Sequence, residues 1–334
     1  VLLVVYGTRP EYIKLSPVLA ELSEKGIPHR RLLVGQHTDL LQGEYDVRLK
    51  VYTTGNRLDS ICTSVLNKEE LFTDISAVLV QGDTTTSMSV ALAAFHRNIP
   101  VYHIEAGLRT FNNQCPYPEE VNRKTISALA SLHFCPTEGD RGNLLKEGIS
   151  ESIIYVTGNT VIDNLLGRPS SISNEVLVTL HRRENHSRMG DWFKEINSLA
   201  EKNPHLTFTI PLHPNPNVQK HRHLLTHMNV CEPFSYDEML DRLSSGRFVI
   251  TDSGGIQEEA SYFEKLCLVC RSVTERHSDS SILIESPEQF RNVFYNITKY
   301  PVKANGMIFQ IGAGCPFGDG HASKRIVEII KKNL

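Results

Sequence analysis

FVITDSGGIQEEA, residues 248–260, holds the junction that decides the fold. A short apolar run meets Ser253-Gly254-Gly255, and a helical pattern opens near Ile256. A buried strand feeding a helix is half of a βαβ unit. Glycine at such a junction lets the backbone approach a ligand. The helix start adds unsatisfied N–H groups and positive potential. An anion such as a diphosphate suits Ser253, Gly254 and Gly255. Taken alone, the tripeptide is also compatible with a plain strand-to-helix turn.

The same junction recurs outward along the chain. Apolar runs stand at 1–6, 78–80, 101–104, 154–156, 176–178, 208–212 and 266–269, with helical patterns between them. Leu15, Val18, Leu19 and Leu22 mark one helix, with Gly26 just beyond as a stop. Pro17 either opens that helix behind Ser16 or kinks a longer one. A turn-rich stretch, GRPSSISNE at 167–175, separates two halves and is expected as a linker. The last helix is expected from Ala322 to Lys332. The fold class is therefore α/β, with two doubly wound Rossmann-like domains facing a cleft.

Composition excludes several classes. Lys+Arg is 35 and Asp+Glu 38, so there is no cationic excess for nucleic acid. No apolar run approaches the roughly 18–20 residues that cross a bilayer. Val1 opens the chain, so an initiator residue is expected upstream. The seven cysteines are widely spaced. Cys267 and Cys270 form a lone close pair, expected in a buried strand rather than in a zinc ribbon. With no disulfide framework implied, a reducing, cytoplasmic setting is expected. No GxGxxG follows the first strand, which argues against a dinucleotide, and no cofactor or metal is expected.

Position is the most informative signal. Arg9, Asp83, Glu105, His181, His213 and Ser253 each follow a predicted parallel strand. That is the end at which doubly wound sheets bind ligands. Most of these residues have a bland alternative. Asp83 precedes Thr84 to Thr86 and would serve as a helix cap. Glu105 fits a buried, paired carboxylate, and His181 a structural histidine. His213, in HPNP, would shape a turn. Glu119 and Arg123 lie four apart behind Pro118, where a surface helix places an ion pair. Together these bland readings lose their force.

The joint pattern resembles the non-hydrolysing UDP-N-acetylglucosamine 2-epimerases. The resemblance rests on GTRPEYIKLSPV at 7–18, GQH at 35–37, QGDTTT at 81–86, HIEAGLRT at 103–110 and PYPEEVNR at 116–123. It continues through TGNTVID at 157–163, HRREN at 181–185, HPNPNV at 213–218, TDSGGIQEEA at 251–260, TER at 274–276 and FGDGHASKRI at 317–326. It implies a glycosyltransferase-B-like fold in which the final helix returns to the first domain. The domains are then 1–166 with 317–334, and a UDP-binding 176–316. It implies reversible conversion of UDP-GlcNAc to UDP-ManNAc, without metal or redox cofactor, in a cytoplasmic homodimer supplying cell-surface polysaccharide precursors. Asp83, Glu105, Glu119 and His181 match catalytic positions. Arg9, Lys14, Arg123, Ser253 and Glu259 match those around the nucleotide and phosphates. His213 joins them as a substrate-binding residue. The family usually reads RDTTERPE where this chain has RSVTERHS at 271–278, so the resemblance leaves the sugar-end contacts, and with them the exact hexosamine, open. The resemblance also implies an activating second UDP-GlcNAc site. Gln36, His37 and Arg182 are present for it, but Ser64 takes the place of the expected arginine. Arg57 stands seven residues earlier, on the same face of a helix.

The chemistry agrees with these residue types. The C2 proton of the hexosamine is not acidified by a ring carbonyl. Departure of UDP from C1 makes it labile. Such a reaction needs an N–H-rich, cationic cradle for the leaving diphosphate and carboxylates reaching both faces of C2. Three alternatives stay open at this point: a hydrolysing epimerase, a glycosyltransferase, and a catalytically silent sugar-nucleotide sensor.

Overall fold

The computed structural model describes residues 1–35, 44–299 and 314–334. The chain divides into two compact units, Val1–Asn164 with Phe317–Leu334, and Leu165–Pro316.

Unit 1 contains β1 (Leu2–Tyr6), α1 (Arg9–Glu24), β2 (His29–Gly35), β3 (Val47–Lys50), α2 (Arg57–Leu66) and β4 (Ala77–Gln81). It continues with α3 (Thr85–Phe95), β5 (Val101–Ile104), α4 (Glu119–Leu129), β6 (Leu132–Cys135), α5 (Glu138–Lys146) and β7 (Ile154–Val156). The strands form one parallel sheet in the order β3-β2-β1-β4-β5-β6-β7. All five side chains of β1 are buried, because both faces of the sheet are covered. Leu2, Val4 and Tyr6 point into one core, and Leu3 and Val5 into the other.

Helix α1 begins at Arg9, capped by Thr8, and continues without a break past Pro17. A proline there strips the carbonyl of Ile13 of its helical donor. Ser16 Oγ and Asn164 Nδ2 each donate to that carbonyl at 2.9 Å, so the longer helix is kept.

Unit 2 contains β8 (Glu175–Thr179), α6 (Met189–Lys202), β9 (Thr207–Pro211), α7 (Pro216–Gln219), β10 (Asn229–Cys231) and α8 (Tyr236–Ser245). Then come β11 (Phe248–Thr251), α9 (Gly254–Tyr262), β12 (Leu266–Val269), β13 (Ser281–Leu283) and α10 (Pro287–Lys299). The sheet order is β10-β9-β8-β11-β12-β13, again parallel. Its main core joins Val176, Val178 and Ile250 to Trp192, Phe193, Phe290 and Phe294. Cys267 and Cys270 are free and wholly buried, as expected of the LCLVC run. Residues 167–175, expected as a linker, lie with unit 2. The N–H groups of Ser171 and Ser173 donate to the carbonyls of Ser244 and Ser245, and Lys265 Nζ donates to the Ser171 carbonyl.

Helix α11 (Ala322–Asn333) belongs to unit 1. Asp163 accepts the N–H groups of Ala322 and Ser323 at 3.0 and 2.7 Å, and Ile326, Val327 and Ile330 enter the core against α1. No described helix is long and apolar enough to cross a membrane.

Candidate active site

Each sheet reverses its strand order once, between β1 and β4 in unit 1 and between β8 and β11 in unit 2. The crevice at the carboxyl ends of such strands is the binding position of doubly wound folds. Every sequence-predicted site residue among the described ones lies on these ends or on the helices that follow them.

In unit 1, Arg9 follows β1, Asp83 follows β4 and Glu105 follows β5, on neighbouring strands. Glu11 holds the first two turns together. Its buried carboxylate accepts from the Gly7 N–H (3.0 Å) and the hydroxyls of Thr8 (2.8 Å), Thr84 (2.6 Å) and Ser87 (3.0 Å). Burial pushes Glu11 up from the usual carboxylate range, and these hydrogen bonds oppose it. Asp83 is not the helix cap; Thr84 accepts the Ser87 N–H and caps α3. The Asp83 carboxylate instead takes Arg123, whose Nε and Nη2 lie 2.9 and 2.7 Å from Oδ2.

Glu105 is held in the left-handed region at φ 65° and is 6% exposed. A left-handed glutamate is costly to hold and is found where the surroundings over-determine it. Lys14 Nζ stands 2.5 Å from Oε1, Asn159 Nδ2 donates to Oε1 at 3.1 Å, and Gln81 Nε2 donates to Oε2. Lys14 and Arg123, expected beside phosphates, are thus set against the two carboxylates. Each cation offsets the cost of burying its partner. Glu119 is the first residue of α4, with Arg123 one turn on, and its charge suits the helix N-terminus.

In unit 2, α9 opens at Gly254 rather than near Ile256, with Ser253 at the N-cap. Both glycines therefore lie in its first turn, because β11 ends only three residues earlier. A Cβ on Gly254 would stand 2.6 Å from Nη1 of Arg276. That guanidinium is fixed by Glu258 at 2.9 Å and by Glu275. A Cβ on Gly255 would meet nothing within 4 Å, so the backbone there is open to approach. Glu259 is buried and accepts the Tyr236 hydroxyl at 2.9 Å. His181 follows β8 and His213 follows β9, and their rings stack at 5.2 Å between centroids and 13° between planes. Burial lowers both imidazoles below the ordinary range; for His181 the carboxylate of Asp252 pulls the other way. Arg182 is half-buried beside His181.

Gln36 and His37 lie outside the described residues. Ser64 lies in α2 and donates to the Ser60 carbonyl at 2.7 Å, and Arg57 opens the same helix. Sequence reasoning missed Asp252, Arg276, Gln81 and Asn159. All four sit inside quoted motifs, and Asp252 directly follows a strand, so the positional rule applied to Ser253 would also have found it.

Comparison with known proteins bears on this arrangement. The profile of the family "UDP-N-acetylglucosamine 2-epimerase" matches residues 32–331. The UDP-N-acetylglucosamine 2-epimerase of Neisseria meningitidis is 37% identical, with 99% of each chain covered. That of Campylobacter jejuni is 36% identical, covering 99% of this chain and 97% of the relative. The crystal structure of UDP-GlcNAc 2-epimerase from Neisseria meningitidis bound to UDP-GlcNAc is similar with a TM-score of 0.90. It is 36% identical, with 99% of this chain and 100% of that chain covered. MurG of Acinetobacter baumannii, 12% identical at a TM-score of 0.61 over 99% of each chain, shares the fold.

Proposed function

Because the chain belongs to the UDP-N-acetylglucosamine 2-epimerase family, we propose that it interconverts UDP-GlcNAc and UDP-ManNAc without net hydrolysis. The C1–O bond breaks with its electron pair going to UDP, and a carboxylate takes the C2 proton. C1 and C2 become doubly bonded, giving 2-acetamidoglucal. A proton then returns to the opposite face of C2, and a phosphate oxygen of UDP re-attacks C1. The observation that carries this reading is the pair of carboxylates on neighbouring strands, Asp83 on Arg123 and Glu105 on Lys14. Glu119 is the third candidate base. Arg9 and the first turn of α9 at Ser253, Gly254 and Gly255 are suited to the diphosphate, and Glu259 to the nucleotide. His181 and His213 complete the set. As the resemblance implies, the enzyme is a cytoplasmic homodimer whose product supplies cell-surface polysaccharide precursors; light scattering tests the assembly.

The test is incubation with UDP-GlcNAc in deuterated water, followed by NMR. Deuterium is expected at C2 of an intact sugar nucleotide. Free ManNAc and UDP would show a hydrolysing enzyme, and no incorporation a silent binder. Exchange is expected to persist in excess EDTA without added nicotinamide, since among the described residues no three His, Cys, Asp or Glu side chains group around a metal position. Loss in EDTA with recovery on adding a divalent ion would sink this part.

Activation by UDP-GlcNAc is expected to be weak or absent. The hydroxyl of Ser64 is turned to its own helix, and a serine lacks the forked cation that a diphosphate favours. Loss of one charge-assisted contact costs about 1.5–3 kcal/mol, roughly ten- to a hundredfold in affinity. Arg57, two turns earlier in α2, offsets part of this at most. The progress curve from UDP-ManNAc alone is expected to be linear from the start. A lag that a trace of UDP-GlcNAc removes would show a working activating site.

A further inference from the structure

Asp252 is wholly buried at the end of β11 and its carboxylate is directed at the neighbouring turn after β8. Oδ2 accepts the main-chain N–H groups of His181 at 3.0 Å and Arg182 at 2.9 Å, and the side-chain amide of Asn185 at 2.9 Å. Oδ1 accepts the His181 N–H at 3.1 Å and lies 3.5 Å from Nδ1 of the same residue. Two successive N–H groups converging on one carboxylate fix the point from which the imidazole leaves the backbone. Asn185 is itself anchored, since its amide also donates to the Cys270 carbonyl at 2.9 Å.

This geometry also sorts the protons of the stacked rings. An ionised carboxylate only accepts, so the Asp252 charge 3.5 Å from Nδ1, a contact longer than a hydrogen bond, favours the proton on that nitrogen. In His213 the arrangement is reversed. Its Nδ1 accepts the Asn215 N–H at 3.1 Å, which leaves the proton on Nε2. With the proton on Nδ1 of His181, one imidazole of the pair presents a bare nitrogen and the other an N–H.

We propose that Asp252 is a positioning residue for His181: it locks the turn that carries the ring and holds the ring proton on Nδ1, leaving Nε2 as a proton acceptor beside the Nε2–H of His213. The proposal rests on the reading of His181 as catalytic and adds the group that orients it.

The experiment uses the full chain labelled with ¹⁵N-histidine. Two-bond nitrogen–proton correlations report the tautomers, and His181→Asn and His213→Asn assign the signals. His181 is expected protonated at Nδ1 and His213 at Nε2. In Asp252→Asn the amide oxygen stays with the fixed N–H donors at the Oδ2 position. The NH₂ then faces Nδ1 and drives the His181 proton to Nε2. Turnover in that variant is expected to fall on the order of 10³-fold through kcat, with little change in KM, because the tautomer is wrong. A wild-type His181 protonated at Nε2 overturns the proposal. So does Asp252→Asn that keeps Nδ1–H. Should that variant fail to fold, the wild-type tautomers decide alone. Unchanged turnover in His181→Asn would instead remove His181 from the catalytic set while the tautomer assignment stands, so the two readings fail separately.

Discussion

Asp83→Asn, Glu105→Gln and Glu119→Gln are each expected to lower kcat for C2 exchange by about 10²–10⁴-fold, with KM nearly unchanged. Each swap removes a proton acceptor at almost constant shape. Arg9→Ala is expected to weaken UDP binding as well, because it removes a cation from the proposed phosphate position. The Glu105 variant needs a control. Its carboxylate is buried against Lys14, and breaking such a pair leaves an uncompensated charge, at about 3–5 kcal/mol. Lys14→Met in the Glu105→Gln background is expected to recover thermal stability without recovering exchange. Asp83 is about a quarter exposed, so its substitution costs less stability. Wild-type turnover in any of the three carboxylate variants would strike that residue from the catalytic set.

Gly107→Ala is expected to be severely destabilising although it adds one methyl group. Gly107 lies two residues past Glu105 at φ 89°. A Cβ there would stand 2.3 Å from the Asp140 carbonyl oxygen and 2.7 Å from its carbon. Asp140 belongs to the capping box of α5 with Thr137, so the backbone it would press on is itself fixed. Left-handed strain and main-chain overlap together cost about 3–5 kcal/mol. Gly142→Ala, inside the same helix, is the control. No atom lies within 4 Å of its added Cβ, and the change is expected to stabilise by up to about 1 kcal/mol. Chemical denaturation of both variants checks this; a Gly107→Ala midpoint within error of wild type would refute the packing argument.

The strands legible in the sequence were those whose side chains are nearly all apolar, such as β1, β5 and β12. The ones missed have a physical reason. Edge strands β3, β10 and β13 are three or four residues long and partly exposed. In β2, His29, Arg30 and Arg31 break the apolar run. β6 starts only three residues after α4 ends, so LHFC merges with the helical pattern before it; its buried His133 alone would not hide it, since the legible β5 carries the buried His103. The start of helix α1 stayed open between two readings because the remedy for Pro17 comes partly from Asn164, 151 residues away. The site followed the same division. Which residues stand at strand ends was readable from periodicity. That Arg123 reaches Asp83 and Lys14 reaches Glu105, 40 and 91 residues apart, was not, since such pairing depends on strand order.

Helix α11 has a consequence for how the molecule is made. Unit 2 is one unbroken segment, 165–316, and all of it is synthesised before α11. Unit 1 is begun first and completed last. Until residues 322–333 emerge, the apolar side of α1 lacks Ile326, Val327 and Ile330, and the Asp163 carboxylate lacks two of its donors. Domains that fold during synthesis usually do so from the N-terminus, but here the later segment can finish while the earlier one waits. The wait leaves an apolar seam on the nascent first unit, the kind of surface that chaperones cover. Pulsed proteolysis of stalled nascent chains would read the order directly, with unit 2 protected before unit 1.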